Sequence, residues 1–274
     1  MPSVLLCPPT YFDVVDEKNP YMTRKATVDR SKARSQWDYL CSVLQQSGYE
    51  IETIDPIPDL EDMVFAANQI FVGAKIGYGK FAIPSRMRYE SRQREVPFFV
   101  EWLRTRNYQI LELDYAGEFL EGHGDLLWHP DGSRVFAGYG FRSTRYGVEK
   151  FAHAMAQMSV DVVPLELIDP YCYHLDTCLC PLNGEAVLIF PGAFSAEALA
   201  AIHKHWKRVH LLTVEEAHRF MGNGIVAHSN YITPYITPQL EAILAEEGLN
   251  PVIVDTSEFE KAGGSCFCLK TFLP

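Results

Sequence analysis

The sequence predicts an α/β protein folded as one domain, and three observations carry that reading. The chain has 274 residues, 47% hydrophobic and 22% charged, a globular balance with enough apolar surface to offset chain entropy. Short β-like segments, hairpin turns and amphipathic helical segments alternate at intervals of about 50 residues, which suggests ββαβ units although no repeat is strong in the sequence itself. No low-complexity stretch or linker divides the chain, so residues 1–274 are read as a single domain.

The elements follow in order. Residues 4–7 are an apolar run broken by Pro8 and Pro9, as a short buried strand would be. Residues 11–25, with Asn19-Pro20 and several charges, predict a loop. Ala33, Trp37, Leu40, Cys41 and Leu44 recur at helical spacing, so 31–47 predicts a helix that Gly48 ends. Residues 49–54 alternate as a strand, 63–65 reads as apolar strand leading into a turn at Asn68, and 69–72 is the next strand. The charged stretch 86–95 precedes a helix over 96–106 and a strand over 109–113. The turn-rich 121–125 leads to a strand at 126–128, a hairpin turn at His129-Pro130-Asp131-Gly132 and a return strand at 135–137. A helix over 147–158 is followed by strands at 160–165, 173–179 and 186–190, the last two joined by Asn183-Gly184. Ser195 caps a helix over 195–206, a strand at 209–212 follows, and Thr213 caps a helix over 214–220. A strand at 225–227, a helix opened by Thr237-Pro238 and closed by Gly248, a strand at 251–254, the charged 258–261 and a last strand at 266–272 complete the chain.

Charge and cysteine usage narrow the function classes. Lys+Arg 24 against Asp+Glu 35 gives a net charge of −11. That disfavours nucleic acid, whose binding needs a basic stripe, and favours a small cationic partner. The opening apolar run is too short for a secretory leader, and no apolar run approaches the roughly 20 residues that span a bilayer. The seven cysteines, an odd number, are therefore read as free thiols of a cytoplasmic, reducing compartment with no membrane contact.

Four segments carry polar chemistry. In Gly263-Gly264-Ser265-Cys266-Phe267-Cys268 the two glycines free the backbone, and on a strand both thiols would share one face. Free cysteines are usually small core residues, so only their company lifts one of them. In 171–180 a strand would put Cys172, His174, Asp176, Cys178 and Cys180 on one face, a polar row that is costly in a core. It reads as a His general acid/base beside Asp176. The alternative, a metal site from Cys172, His174, Cys178 and Cys180, lacks the usual zinc spacing. Glu121-Gly122-His123-Gly124-Asp125 is a surface turn or a carboxylate placed for a substrate or His contact. Asp59 through Asn68 sets acidic residues before an apolar run, as edge charges or as a binding group.

Together these segments resemble the guanidino-group-modifying enzymes, which include dimethylarginine dimethylaminohydrolase, arginine deiminase, arginine dihydrolase and the amidinotransferases. The likeness runs from Cys7-Pro8-Pro9 to the final Cys. It rests on Asn19-Pro20-Tyr21-Met22, Asp62-Met63-Val64-Phe65 through Asn68, Glu121 through Asp125, His174-Leu175-Asp176-Thr177 and Lys261 through Cys268, in the family's order. The resemblance implies a pseudo-fivefold α/β propeller of ββαβ units, the pentein fold. It also implies that Cys268 is the nucleophile, counted from Lys261 and Gly264, with Cys266 in an ordinarily apolar slot. His174 matches the catalytic histidine and Glu121 the carboxylate that pairs with it or with the guanidinium. Asp176 matches a second substrate-facing carboxylate and Asp62 the group that holds an α-amino end. Arg142 matches an arginine for the α-carboxylate, with Arg92 as a second, and Asn19 lies in an early loop over the site. Asn68 stands where deiminases and dimethylarginine hydrolases carry an Asp, as in arginine dihydrolase look-alikes. An amide there accepts a hydrogen bond without bringing charge and would let a citrulline-like intermediate react again.

The implied activity is a cysteine-dependent hydrolase of guanidino C–N bonds in arginine or a close derivative. The alternative is an amidinotransferase that uses the same Cys–His–Glu site with an amine acceptor. The expected ligand is a small cationic guanidine, no metal or organic cofactor is needed, and a homodimer is compatible with this reading.

Overall fold

Strand pairing follows from where the apolar runs lie and from what bridges them. The computed structural model describes residues 1–23 and 26–274; the part of the expected loop at Arg24 and Lys25 lies outside the described residues. Five three-stranded sheets are formed, and all share one plan. Ile70–Lys75 pairs antiparallel with Gly79–Pro84, which pairs parallel with Gln109–Ile110. Leu126–Trp128, Arg134–Tyr139 and Asp161–Glu166 repeat the pattern. So do Leu179–Pro181, Ala186–Ile189 and Arg208–Leu211. Ile225–Ala227, Asn230–Thr233 and Asn250–Ile253 form the fourth such sheet. In the fifth, Lys270–Leu273 lies antiparallel to Ser3–Leu6, which runs parallel to Glu50–Thr53. The two ends of the chain therefore complete one unit.

A helix makes each parallel crossover, because parallel strands cannot be joined by a tight turn. Arg30–Gln46 lays Trp37, Leu40 and Leu44 against Val4 and Leu6. Val96–Arg104 buries Phe99 and Leu103 against Val72 and Ala82. Arg145–Ala156 packs Val148, Phe151 and Met155 on Val135 and Ala137. Ala196–His205 and Pro238–Glu246 do the same with Ile202 and with Leu240 and Leu244. Each fully buried side chain of this kind contributes about 1.5–3 kcal/mol. The expected caps form: Ser195 accepts from the Ala198 N–H, and Thr213 makes a reciprocal capping box with Glu216. Among the described residues no helix is long and apolar enough to cross a membrane.

Several expected segments are corrected. The strand expected at 173–179 breaks into a 3₁₀ turn, Leu175–Thr177, and the strand begins only at Leu179. The last strand begins at Lys270, not Cys266, so Cys266 and Cys268 sit in a turn and do not share a strand face. The apolar 63–65 belongs largely to a 3₁₀ turn, Glu61–Val64, and 121–125 to a one-turn helix, Gly122–Asp125. Strands Gly79–Pro84 and Asn230–Thr233 lacked a clear pattern in the sequence. In the four interrupted stretches buried polar residues, among them Asp62, Asp125, Asp176 and Ser265, bond sideways across the molecule, and a regular ladder would not allow this.

Candidate active site

The interrupted segments converge. The turn that carries Cys268 packs against the 65–68 loop, where the Ala67 N–H donates to the Cys268 carbonyl at 3.1 Å. Gly264 lies so close that a β-carbon there would stand 2.4 Å from the Phe65 ring and 3.2 Å from the Cys268 β-carbon. Asn19 fastens the early loop over this segment. Its amide donates to the Ala262 carbonyl at 3.0 Å, and its carbonyl accepts from the backbone N–H of Tyr21 at 3.0 Å. Tyr173 donates its hydroxyl to the Gly263 carbonyl at 2.5 Å.

The Cys268 thiol is buried and donates to Asp176 Oδ2 at 3.1 Å. Asn223 donates its amide to Cys268 Sγ at 3.2 Å and to the Asp176 carbonyl at 2.9 Å, and its oxygen accepts from the N–H of Ser265 and of Cys268. Burial, then the Asp176 carboxylate, hold this thiol well above its ordinary value. Burial also pushes Asp176 up to about 7, opposed by the Cys268 hydrogen bond and by Lys270. Cys266, in the apolar core, is raised to about 12 by burial.

His174 is held from its far nitrogen. Its Nε2 lies 2.8 Å from Glu121 Oε2, the same oxygen that accepts from Arg142 Nη1 at 3.0 Å. Glu121 Oε1 accepts from the Arg88 N–H at 2.7 Å. Burial opposes ionisation of Glu121, but Arg142, the His174 hydrogen bond and Arg92 outweigh it and hold the carboxylate well below its usual range. Arg142 sits between the rings of Tyr89 and Tyr173, 4.9 and 4.7 Å from their centroids. Gly122 must turn here with φ +45°, and a β-carbon on it would meet the carbonyl oxygens of Ile70, Asn68 and Ala67 at 2.5–2.9 Å.

A second cluster adjoins the first. Asp62 Oδ2 lies 3.0 Å from Lys18 Nζ. Arg92 donates to Asn68 Oδ1 at 2.9 Å and to the Asp62 carbonyl at 3.1 Å, and pairs with Glu95. The Asn68 amide nitrogen stands near Gly124, whose missing β-carbon would lie 2.3 Å from it and 3.3 Å from the His174 ring. Six buried side-chain polar atoms lack a partner among the described residues, and three of them are Asp62 Oδ1, Asn68 Nδ2 and Asp176 Oδ1. An orphaned buried polar atom costs about 1–3 kcal/mol, so their concentration in the Asp176 and Asn68–Asp62 clusters marks a place suited to a ligand.

The structure thus places Cys268 with Asp176 in one hydrogen-bonded group and His174 with Glu121 and Arg142 in another, carried on the same 174–176 segment, with Asn68 near His174 and Arg92 linking Asn68 to Asp62. Asn68 differs from expectation, because its accepting oxygen is occupied by Arg92 and the free end is the donor. Both arginines are engaged by protein carboxylates. The cysteine row does not converge as a metal site would. The Cys178 thiol donates to the Leu175 carbonyl, the Cys180 thiol to the Gly224 carbonyl, and His174 faces Glu121. Two residues escaped the sequence reading. Asn223 was marked only by its flanking Gly222 and Gly224, and Lys18 only by its neighbour Asn19. Asp125, within a motif, braces the site, since its carboxylate accepts from the Ser143 hydroxyl at 2.6 Å and the Leu175 N–H at 3.1 Å. His123 is a satisfied core residue, accepting from the Val72 N–H and bonding the Leu126 carbonyl.

Residues 9–272 match the family described as N,N dimethylarginine dimethylhydrolase, eukaryotic. The chain is 34% identical over 265 residues to the N(G),N(G)-dimethylarginine dimethylaminohydrolase of Mycobacterium tuberculosis, covering 96% of this chain and 83% of that protein. It is 33% identical over 271 residues to the bifunctional arginine dihydrolase/ornithine cyclodeaminase ArgZ of Synechocystis sp., covering 97% of this chain but 37% of ArgZ. The solved N-terminal domain of ArgZ, an arginine dihydrolase domain bound to its substrate, superposes with a TM-score of 0.91 at 30% identity, covering 99% of this chain and 98% of that one.

Proposed function

Because the chain belongs to the N,N dimethylarginine dimethylhydrolase family, among the guanidino-group-modifying enzymes, we propose that it hydrolyses the guanidino C–N bonds of arginine through a covalent amidino-thioether on Cys268. One observation carries the reading. Two buried carboxylate oxygens are unpaired: Asp176 Oδ1, on the carboxylate that holds the Cys268 thiol, and Asp62 Oδ1, in the adjoining cluster that Arg92 ties to Asn68. They call for a ligand rich in cationic N–H donors, which a guanidinium and an α-ammonium supply.

The site's chemistry follows from these placements. A guanidinium is resonance-stabilised and its carbon is a poor electrophile, so charge-assisted hydrogen bonds to Asp176 must orient it. Empty, the site keeps Cys268 protonated. The entering cation, with protonated His174, favours loss of the thiol proton to solvent and so the thiolate that attacks the carbon. His174 then protonates the departing nitrogen and deprotonates the water that opens the thioether. Asp62 holds the α-amino end, Arg142 and Arg92 favour the α-carboxylate, and Asn19 keeps the early loop over the site.

Asn68 selects the product. With its oxygen pinned by Arg92, its free N–H₂ suits a ureido oxygen, which an Asp would repel. A citrulline-like species is retained for a second hydrolysis, so arginine and two waters yield ornithine, two ammonia and carbon dioxide. The five ββαβ units are taken as the blades of a pentein propeller in a single domain, supported by the shared sheet of Ser3–Leu6 and Lys270–Leu273.

The test is incubation with arginine and methylated arginines, followed by mass analysis. Ornithine with two ammonia per arginine is expected, Cys268→Ser removes it, and Asn68→Asp accumulates citrulline. Methylamine release with no ornithine from arginine overturns the assignment, as does undiminished ammonia from Cys268→Ser. Transfer of the amidino group to an added amine identifies an amidinotransferase instead.

A further inference from the structure

Lys270 is a buried charged side chain near the candidate site that the proposed reaction does not use and that, unlike Lys18, Glu95 and Asp125, has no polar side-chain partner among the described residues. It is 1% exposed, and its Nζ has no hydrogen bond or ion pair with a described residue. Its contacts are the faces of Phe267 and Phe272, 3.1 and 4.6 Å from the ring centroids. Aromatic faces compensate a buried ammonium only in part.

This amine lines a cavity of about 560 Å³, the size of a small-molecule site. The walls are largely apolar, with Leu127, Trp128, Leu182, Phe267 and Phe272 prominent, and none of the candidate-site side chains lines it. Phe267 lies against the cavity while the next residue, Cys268, bonds Asn223 and Asp176 in the candidate site. The cavity and the candidate-site side chains thus lie on the two sides of one turn of chain. His123 also lines the cavity, but both its ring nitrogens are used by backbone groups. The Cys180 thiol bonds the Gly224 carbonyl. Lys270 is therefore the one free cationic group in the lining.

We propose that this cavity is a second ligand site, which takes a small monocarboxylate with an apolar body, its carboxylate paired with Lys270 Nζ and its carbon frame against Trp128, Phe267 and Phe272. The carboxylate would supply the partner the ammonium lacks, and the walls would bury the rest of the ligand. The titratable groups around Lys270 are Asp176, Cys180 and Cys268, which favour its charged form, and His123, which burial keeps neutral. Burial dominates and lowers Lys270 to about 7. A bound carboxylate pulls that value back up, so binding above neutral pH takes up a proton.

Phenylacetate is the probe. Calorimetric titration of the whole protein at pH 8 in buffers of different ionisation heat is expected to give saturable binding with proton uptake. Acetate, which lacks the apolar body, and phenethylamine, which lacks the carboxylate, each bind about tenfold or more weakly. Lys270→Met lowers phenylacetate affinity about tenfold or more and abolishes the proton uptake. Ala74→Trp, which fills the cavity from its exposed rim, lowers affinity without touching Lys270 and keeps the test valid if Lys270→Met does not fold. Arginine, directed to the candidate site, does not displace the probe. Absence of saturable binding, unchanged affinity in a folded Ala74→Trp protein, or competition by arginine overturns the proposal. None of these outcomes depends on whether arginine is turned over.

Discussion

Asp176 carries a cost that the rest of the site imposes on it. Burial raises its folded value to about 7 from an ordinary 3.8, so the native state holds a proton that the unfolded chain has released. Stability from this group is fully present below about pH 4 and is lost as pH rises through 7. Asp176→Asn removes the titration. Its stability relative to the parent should rise by about 3 kcal/mol between pH 4 and pH 7 and then level off, as denaturant melts across that range would measure; a flat difference contradicts the buried-carboxylate account. Asn223 holds Cys268 and Asp176 together through three hydrogen bonds. Asn223→Ala should lower kcat about 100-fold with little change in KM. A proportionate change in KM alone would make Asn223 a binding residue and not a positioning one.

At the level of elements, the site is made where regular structure stops. The 3₁₀ turns Glu61–Val64 and Leu175–Thr177, the one-turn helix Gly122–Asp125 and the turn before Lys270 each turn side chains inward that a ladder would have alternated. Gly122 is required twice over, by its positive φ and by three carbonyl oxygens. Gly132 also has positive φ, +69°, but open space around it. Gly132→Ala should cost about 1 kcal/mol from strain alone, and Gly122→Ala about 3 kcal/mol or more from strain plus collision. Equal melting temperatures for the two variants would refute the collision. Sequence patterning read the crossover helices well, because apolar residues at 3.6-residue spacing are a local signal. It misread 173–179, because alternation of polar and apolar residues looks the same whether the polar ones face solvent or a buried site.

Over the whole molecule, both chain ends lie in one sheet, with Ser3 opposite Leu273. A permutant that joins the ends through a short Gly/Ser linker and opens at the exposed Gly77 turn keeps every ladder intact. It should melt within a few degrees of the parent, since only an exposed loop is cut; loss of a cooperative transition would mean that the first and last strands do not form one unit. The helices, two of the four hairpin turns and the caps were legible from local pattern, whereas Cys268, His174, Glu121 and Asp176 were singled out through the order of motifs that resembles the guanidino-group-modifying enzymes. Local spacing could not say that Glu121 is shared between His174 and Arg142, that Arg92 turns the Asn68 amide to present its donor, or that Asn223 belongs beside the thiol. Those partnerships join residues dozens of positions apart, and no periodicity records them. By itself the sequence determined which groups are available and which short elements carry them. Only the tertiary structure decided which polar atoms are satisfied and which are left waiting, because burial and distance across the five sheets set the cost of an unpaired charge.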